Sequence, residues 1–576
     1  MNENPPSGWR RPLPGKIVWL ASFALLTLLI YCLGVAGGNG RSSPVEVFFV
    51  AALLSALALL IGYGLMRFLR WLCCWRNLRR FAFGVACFVT LIALVYFVEN
   101  VRGRSAWMRH RQQWEAQGEK FSIAELSPPP VPEEKNFAFT PLLKPALDYF
   151  HTPTNVVWRD TNALARLSQL GADFAPRRAK DDKLVLGQME KGTLADLATW
   201  QAFYRGNTNY PQPNQPGTPA QDILVALGKF DSELAELHEA TRTRPETRFP
   251  VEYDYEPSWA ILLPHLARLK GITTLTHVRA TALLEAGRSA EALEDLELGL
   301  RLSESISREP VLIDHLVRIA SLGINLQTIR EGLVRHAWSD AQLAKIEQLL
   351  ARVDMLAEYK LAQRGERALS VAGLDYLRRQ GFRSNPMMYL SSDEGGSAST
   401  MGFNPFPSGW FYQNMLTISE LHQEFTLACV DTKSGRVLPE VCEALQTRIE
   451  KLPRAPYTIF AKLLMPALSK AVRRSARMQA AVDSARIACA LERYRLAQSE
   501  LPDSLEKLVP SLLPQLPNDL IDGNPLRYRR EPDGGYRLWS VGWNRTDERG
   551  EIAWTKSKEP GVDVAQGDWV WQIPKK

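Results

Sequence analysis

Three apolar runs in the first hundred residues constrain this chain more than any other feature. Ile17–Gly37, Val47–Met66 and Phe81–Val98 are 21, 20 and 18 residues long, and none contains a charge. At about 1.5 Å of rise per residue, roughly 20 apolar residues cross a hydrocarbon core about 30 Å thick. Three transmembrane helices are therefore expected within residues 1–102, and everything beyond Val98 hangs from them.

The basic residues orient this anchor. Arg10, Arg11 and Lys16 precede the first run, and Arg67, Arg70, Arg76, Arg79 and Arg80 lie between the second and third, whereas the first loop has only Arg41. Lys and Arg are retained on the cytoplasmic side, so the N-terminus and second loop are expected inside and residues 100–576 outside. The location implied is a bacterial inner membrane with a large extracytoplasmic part. Arg102, Arg104, Arg109 and Arg111 run against this, but the bias weakens ahead of a large translocated domain. The first run is too long for a cleaved signal peptide. Gly37-Gly38-Asn39-Gly40-Arg41-Ser42 lacks the lysine of a phosphate loop and reads as a turn.

The formal charge of +7 divides unevenly. Residues 1–111 carry a net +10 and the remainder a net −3. The basic excess thus flanks the membrane, where anionic lipid is its partner, and no nucleic-acid partner is expected.

Residues 103–125 are polar and helix-compatible, a stalk that Ser127-Pro128-Pro129-Pro130-Val131-Pro132 ends, so 103–135 reads as stalk and Pro-rich linker. From 136 to 455 the pattern is helical, with loops at Asn207–Pro219 and Arg383–Gly409. Its most legible part is a helical hairpin over 276–305, turned at Gly287. Ala292, Leu293, Leu296 and Leu300 form the inner stripe of its second helix, and Glu297 and Arg301 pair four apart outside. A long helix is expected from about Pro456 to Ala497. Its seam, Leu468, Ser475, Val482, Cys489 and Leu496, repeats every seven residues, with small residues between that permit close approach. Asp503 and Glu506 suggest a capping box. Arg527–Glu531 and Tyr536–Val541 read as strands around Pro532-Asp533-Gly534-Gly535.

Three resemblances follow. The run from Ala282 to Arg288 followed by Glu291-Ala292-Leu293 resembles a single tetratricopeptide repeat, without a second copy. Residues 130–367 resemble the ectodomains of uncharacterised membrane-anchored bacterial proteins, through pieces such as Leu262-Leu263-Pro264-His265-Leu266 and Leu316-Val317-Arg318-Ile319-Ala320. Ala490–Leu496, Leu501-Pro502, Asp519–Tyr528 and Tyr536–Gly542 resemble the globular head of type II secretion pseudopilins. That likeness implies a small α+β module over 456–576, a long helix on a short antiparallel sheet. Leu520 stands where the family has proline, and the family's methylated apolar N-terminal segment does not precede the helix. The expected fold class is thus mainly α: three transmembrane helices, an extracytoplasmic helical domain and this C-terminal module.

Candidate chemistry is sparse. Cys429 and Cys442 bracket a turn and would pair as a disulfide in an oxidising compartment. The pseudopilin likeness implies a calcium loop, for which Asp547, Asp563 and Asp568 are weak candidates. Arg545 and Arg549 among them favour a salt-bridged loop instead. His265 and His277 are twelve apart and do not share adjacent turns of one helix face. Glu252, Asp254 and Glu256 alternate with Val251, Tyr253 and Tyr255, and Arg242, Arg244 and Arg248 are their expected partners. No catalytic constellation stands out and no cofactor is implied. The function expected is an envelope scaffold that binds other envelope proteins, accessory to a pseudopilus or secretion assembly. An envelope hydrolase whose site is scattered along the chain is the alternative.

Overall fold

A computed structural model of the chain describes residues 15–37, 44–152, 155–171, 186–380, 406–556 and 561–574. The expected turn at 38–42 and most of the expected loop at 383–409 lie outside the described residues. Gly409 itself is helical, within Ser408–Leu421. The chain divides into two compact units, Met1–Val98 and Glu99–Lys576.

The first unit holds helices Gly15–Gly37 and Pro44–Leu72 and the start of Trp75–Glu115. Large side chains such as Leu53 and Phe83 are 71% and 72% exposed, which water does not favour and lipid does. Hydroxyls here bond the carbonyl one turn back: Thr27 to Phe23 O and Ser55 to Ala51 O, both at 2.7 Å. A polar group in lipid must be satisfied in this way within its own helix. Val45–Leu72 and Trp75–Glu115 are long and apolar enough to cross a membrane. Here the expectation of three spans is corrected to two. The apolar stretch described in the first helix, Trp19–Cys32, reaches only about 21 Å at about 1.5 Å per residue, short of the ~30 Å core.

The second unit is mainly helical with small sheets. Trp75–Glu115 enters it with Gly103 and Trp107 buried. The chain then folds back, and Phe121 and Ile123 join the core. Arg364 and Arg367 clasp Glu119, at 2.9 and 2.8 Å. Burial pushes this carboxyl up, but the two guanidiniums prevail and hold it at about 2.

The helix Ile459–Gln498 is the spine of this unit. Its first half (Ala461, Met465, Val472, Ala476) packs in one core with Tyr359, Met415, Leu445 and Trp543. Its second half (Val482, Ile487, Leu491) packs in another with Leu326, Ile346, Leu538 and Trp571. A third core, around Phe137, Trp200, Ile223 and Leu298, belongs to the earlier helices. The small residues of the heptad seam do bring neighbours close, and Ser475, Val482 and Cys489 are fully buried, but Leu496 is exposed.

The hairpin forms as Leu266–Glu285 and Ser289–Glu304, with Gly287 at φ +76°. The expected Glu297–Arg301 pair is corrected. Lys345 takes Glu297, and Arg301 turns to Glu304 and to the carbonyls of Arg244 and Glu246. The helix is also buried at Leu298 and Leu302, so it is a core helix rather than a one-sided one.

At the C-terminal end, Arg527–Arg530, Tyr536–Ser540 and Trp569–Ile573 form one antiparallel sheet with the middle segment central. Ile552–Trp554 pairs separately with Val562–Gly567. The capping box is corrected too: Ser504 makes no side-chain cap to Leu505–Leu508, a 3-10 turn, and Asp503 pairs with Lys507 at 2.9 Å.

Candidate ligand pocket on the long helix

One face of the spine helix is not fully covered. Arg474, Arg477, Met478, Ala481 and Ser484 recur at helical spacing and line a cavity of about 320 Å³. The facing wall is Ile319, Ala320 and Gly323, from helix Leu312–Val334. Val564, Trp569, Val570 and Trp571 close it from the sheets, and Met189 and Glu190 from a short 3-10 turn.

Arg330 holds that turn in place. Buried at 0% exposure, it donates to the carbonyls of Gly192 (2.9 Å), Thr193 (3.2 Å) and Gln572 (3.2 Å). A single guanidinium thus binds the 189–193 segment to the Trp569–Ile573 strand. Gly192 takes φ +66°, a left-handed conformation that glycine accepts without cost.

The polar groups of the pocket are unequal. Arg477 pairs with Glu190 at 2.8 Å. Arg474 is exposed and has no carboxylate partner among the described residues. Trp569 Nε1 donates to Val564 O at 3.4 Å, whereas the buried Trp571 Nε1 has no acceptor. Gly323 has only Met478 Cε near the place a Cβ would take, at 3.4 Å. Among the described residues, Glu190 is the one acid in the lining, and no histidine or cysteine joins it. The arrangement can bind; it does not assemble an acid–base pair.

The titratable side chains gather elsewhere, in a closed cluster. Glu309 (3% exposed) accepts from the Tyr253 hydroxyl and lies 3.5 Å from Arg248. Asp314 lies 3.6 Å from His265 Nε2, and His265 stacks on Phe249 at 4.0 Å. Glu366 accepts from Leu312 N at 3.1 Å. Burial pushes the carboxyls of Glu309, Asp314 and Glu366 up. These groups tie the 248–265 segment to the start of helix Leu312–Val334, and they are enclosed by the core. His277 is likewise engaged, with Thr328 Oγ1 at 2.7 Å and Leu186 O at 2.9 Å. The acids of 252–256 point outward as expected, but their partners differ: Glu252 meets His151 at 3.4 Å, and Glu256 meets Arg379.

The calcium candidates are held apart by protein donors. Asp547 accepts from Trp539 Nε1 and Arg549 N, both at 2.9 Å. Asp563 accepts from Ala565 N at 3.0 Å. Asp568 accepts from Gly550 N at 2.6 Å, and burial together with neighbouring Glu548 pushes it up to about 7. Among the described residues, no group of three or more His, Cys, Asp or Glu is placed to hold a metal ion.

Cys429 and Cys442 are buried and no disulfide joins them, although their thiols hydrogen-bond each other. That bond and burial push the Cys429 thiol up. Sequence reasoning brought these two together, but it missed Arg474, Arg477, Gly323 and Trp571. The two arginines, three apart on a helix of small residues, were the available signal. Comparison of the chain with family models, with curated proteins and with solved structures returns no match.

Proposed function

We propose that this chain is a membrane-anchored scaffold of the bacterial cell envelope that acts by binding rather than by catalysis. The observation that carries this reading is the helix Trp75–Glu115. It bears the apolar run at 81–98 and then, without a break, supplies Gly103 and Trp107 to the core of the folded unit. An anchor that is also a core element suits a protein that must hold partners at a membrane. The enclosed cluster at Glu309 and Asp314 is the material for the hydrolase alternative, and its burial weighs against it.

In the finer form of the proposal, the basic loop between the two spanning helices is cytoplasmic and residues 100–576 are extracytoplasmic. Anionic lipid at the basic flanks and other envelope proteins are the partners. The resemblance to pseudopilin heads supports an accessory role in a pseudopilus or secretion assembly. Leu491 of the spine helix is fully buried in the same core as Leu538 of the sheet, the kind of packing that resemblance requires.

Reporter fusions after Arg80 and after Lys135 test the topology. Only the last is expected outside; any other pattern overturns the extracytoplasmic placement. Non-reducing peptide mapping of membrane-expressed protein is expected to recover Cys429 linked to Cys442, a bridge worth about 3 kcal/mol in the chain-entropy model. Purification in mild detergent is expected to bring down envelope proteins reproducibly, and repeated isolation alone would sink the scaffold reading.

A further inference from the structure

We propose that the pocket on the spine helix binds a small amphiphilic carboxylate: a compact apolar body bearing one carboxylate. The inference goes beyond the scaffold reading and stands or falls separately from it. At about 320 Å³ the cavity lies at the small end of the ~300–1,000 Å³ typical of small-molecule sites. Ile319, Met478, Val564 and Trp571 give it walls that favour hydrocarbon or aromatic surface.

One unspent group sets the polarity of the occupant. Arg474 offers a planar fork of N–H donors that matches a carboxylate, and no described side chain neutralises it. Arg477, one turn along, is already matched by Glu190, which leaves a single net positive charge in the lining. A monoanion balances that charge; a dianion would not.

Gly323 supplies an independent mark. Glycine inside a helix is less favourable than alanine by roughly 1 kcal/mol. Here nothing but the mobile Met478 methyl approaches its missing side chain. The helix is thin at the point where it faces the cavity.

The test uses the full-length chain in nanodiscs of phosphatidylcholine, with fluorobenzoylpropionate as the probe followed by fluorine NMR. Empty nanodiscs report partition into the bilayer. Saturable broadening is expected with the protein. The primary amide of the same acid, and the acid with Arg474→Gln protein, should each bind about tenfold or more weakly, the scale of one lost charge-assisted contact. Gly323→Leu should fill the cavity and abolish binding while the melting temperature holds or rises. Ala320→Leu, on the same wall, provides a second occlusion should the first variant fold poorly. Three outcomes would overturn the proposal: no saturable binding at about 10 mM, beyond which site-specific affinity is negligible; equal binding of acid and amide; or undiminished binding by a folded occluded variant.

Discussion

The closed cluster around Glu309 and the open pocket beside Arg474 use opposite kinds of residue. The cluster contains the acids and histidine that sequence reasoning inspects for chemistry, and it encloses them in the core, where Glu309 and Glu366 are hydrogen-bonded but Asp314 and His265 only approach to 3.6 Å. The pocket is walled by methionine, tryptophan and small residues, and Arg474 is left over among its charged groups. Residue type alone therefore points to the wrong place. What separates the two here is access: the cluster is sealed in the core, whereas the pocket opens beside the exposed Arg474.

Two helix glycines put this contrast to the largest test. A Cβ on Gly365 would overlap the carbonyl oxygen of Pro310, next to Glu309, so backbone would have to move. Gly365→Ala is expected to cost about 3 kcal/mol or more, read as a large fall in thermal midpoint. A variant as stable as the parent would show that the cluster is looser than its burial implies.

The next effect is smaller and depends on pH. His315 follows Asp314 in sequence and bonds Ser475 Oγ at 2.7 Å, beside pocket residue Arg474, so it joins the two regions. Burial, aided by Arg318, lowers its imidazole to about 3. Its neutral form is favoured by the fold, so its stabilising contribution is complete above about pH 6.5 and is lost as pH falls toward 3. At pH 4.5 this should amount to about 3 kcal/mol. His315→Gln is expected to be less stable at pH 7 and to converge on the parent by pH 4.5 in denaturant titrations. Parallel curves would mean that the histidine does not carry the acid sensitivity.

On the pocket side, Gly323→Ala should stabilise by about 0.5–1 kcal/mol, since alanine fits the helix and meets only a flexible methyl. A loss instead would mean that the cavity is already filled. The smallest effect is expected from calcium. With Asp547, Asp563 and Asp568 each engaged by protein donors, calcium or a chelator should shift stability by less than about 0.3 kcal/mol. A clear shift with calcium would reopen that loop as a metal site.

Much of the local structure was legible because it is set by neighbours in sequence. The turn at Gly287, the long helix and the strand pair around Gly534 follow from periodicity and turn chemistry. Partners across the fold were not legible. Glu297 goes to Lys345 rather than Arg301, and Trp571 of the last strand fills the sheet core. A helical repeat tells which face is buried but not which distant segment covers it. The pocket was hidden for the same reason, since its walls come from 189–190, 319–323, 474–484 and 564–571.

The spine helix has a further consequence. Because its two halves are bedded in different cores, neither core can open without releasing part of the same 40-residue rod. Thermal melting of the extramembrane unit should then be a single cooperative event. The central amides of the rod should exchange with solvent only when the whole unit unfolds.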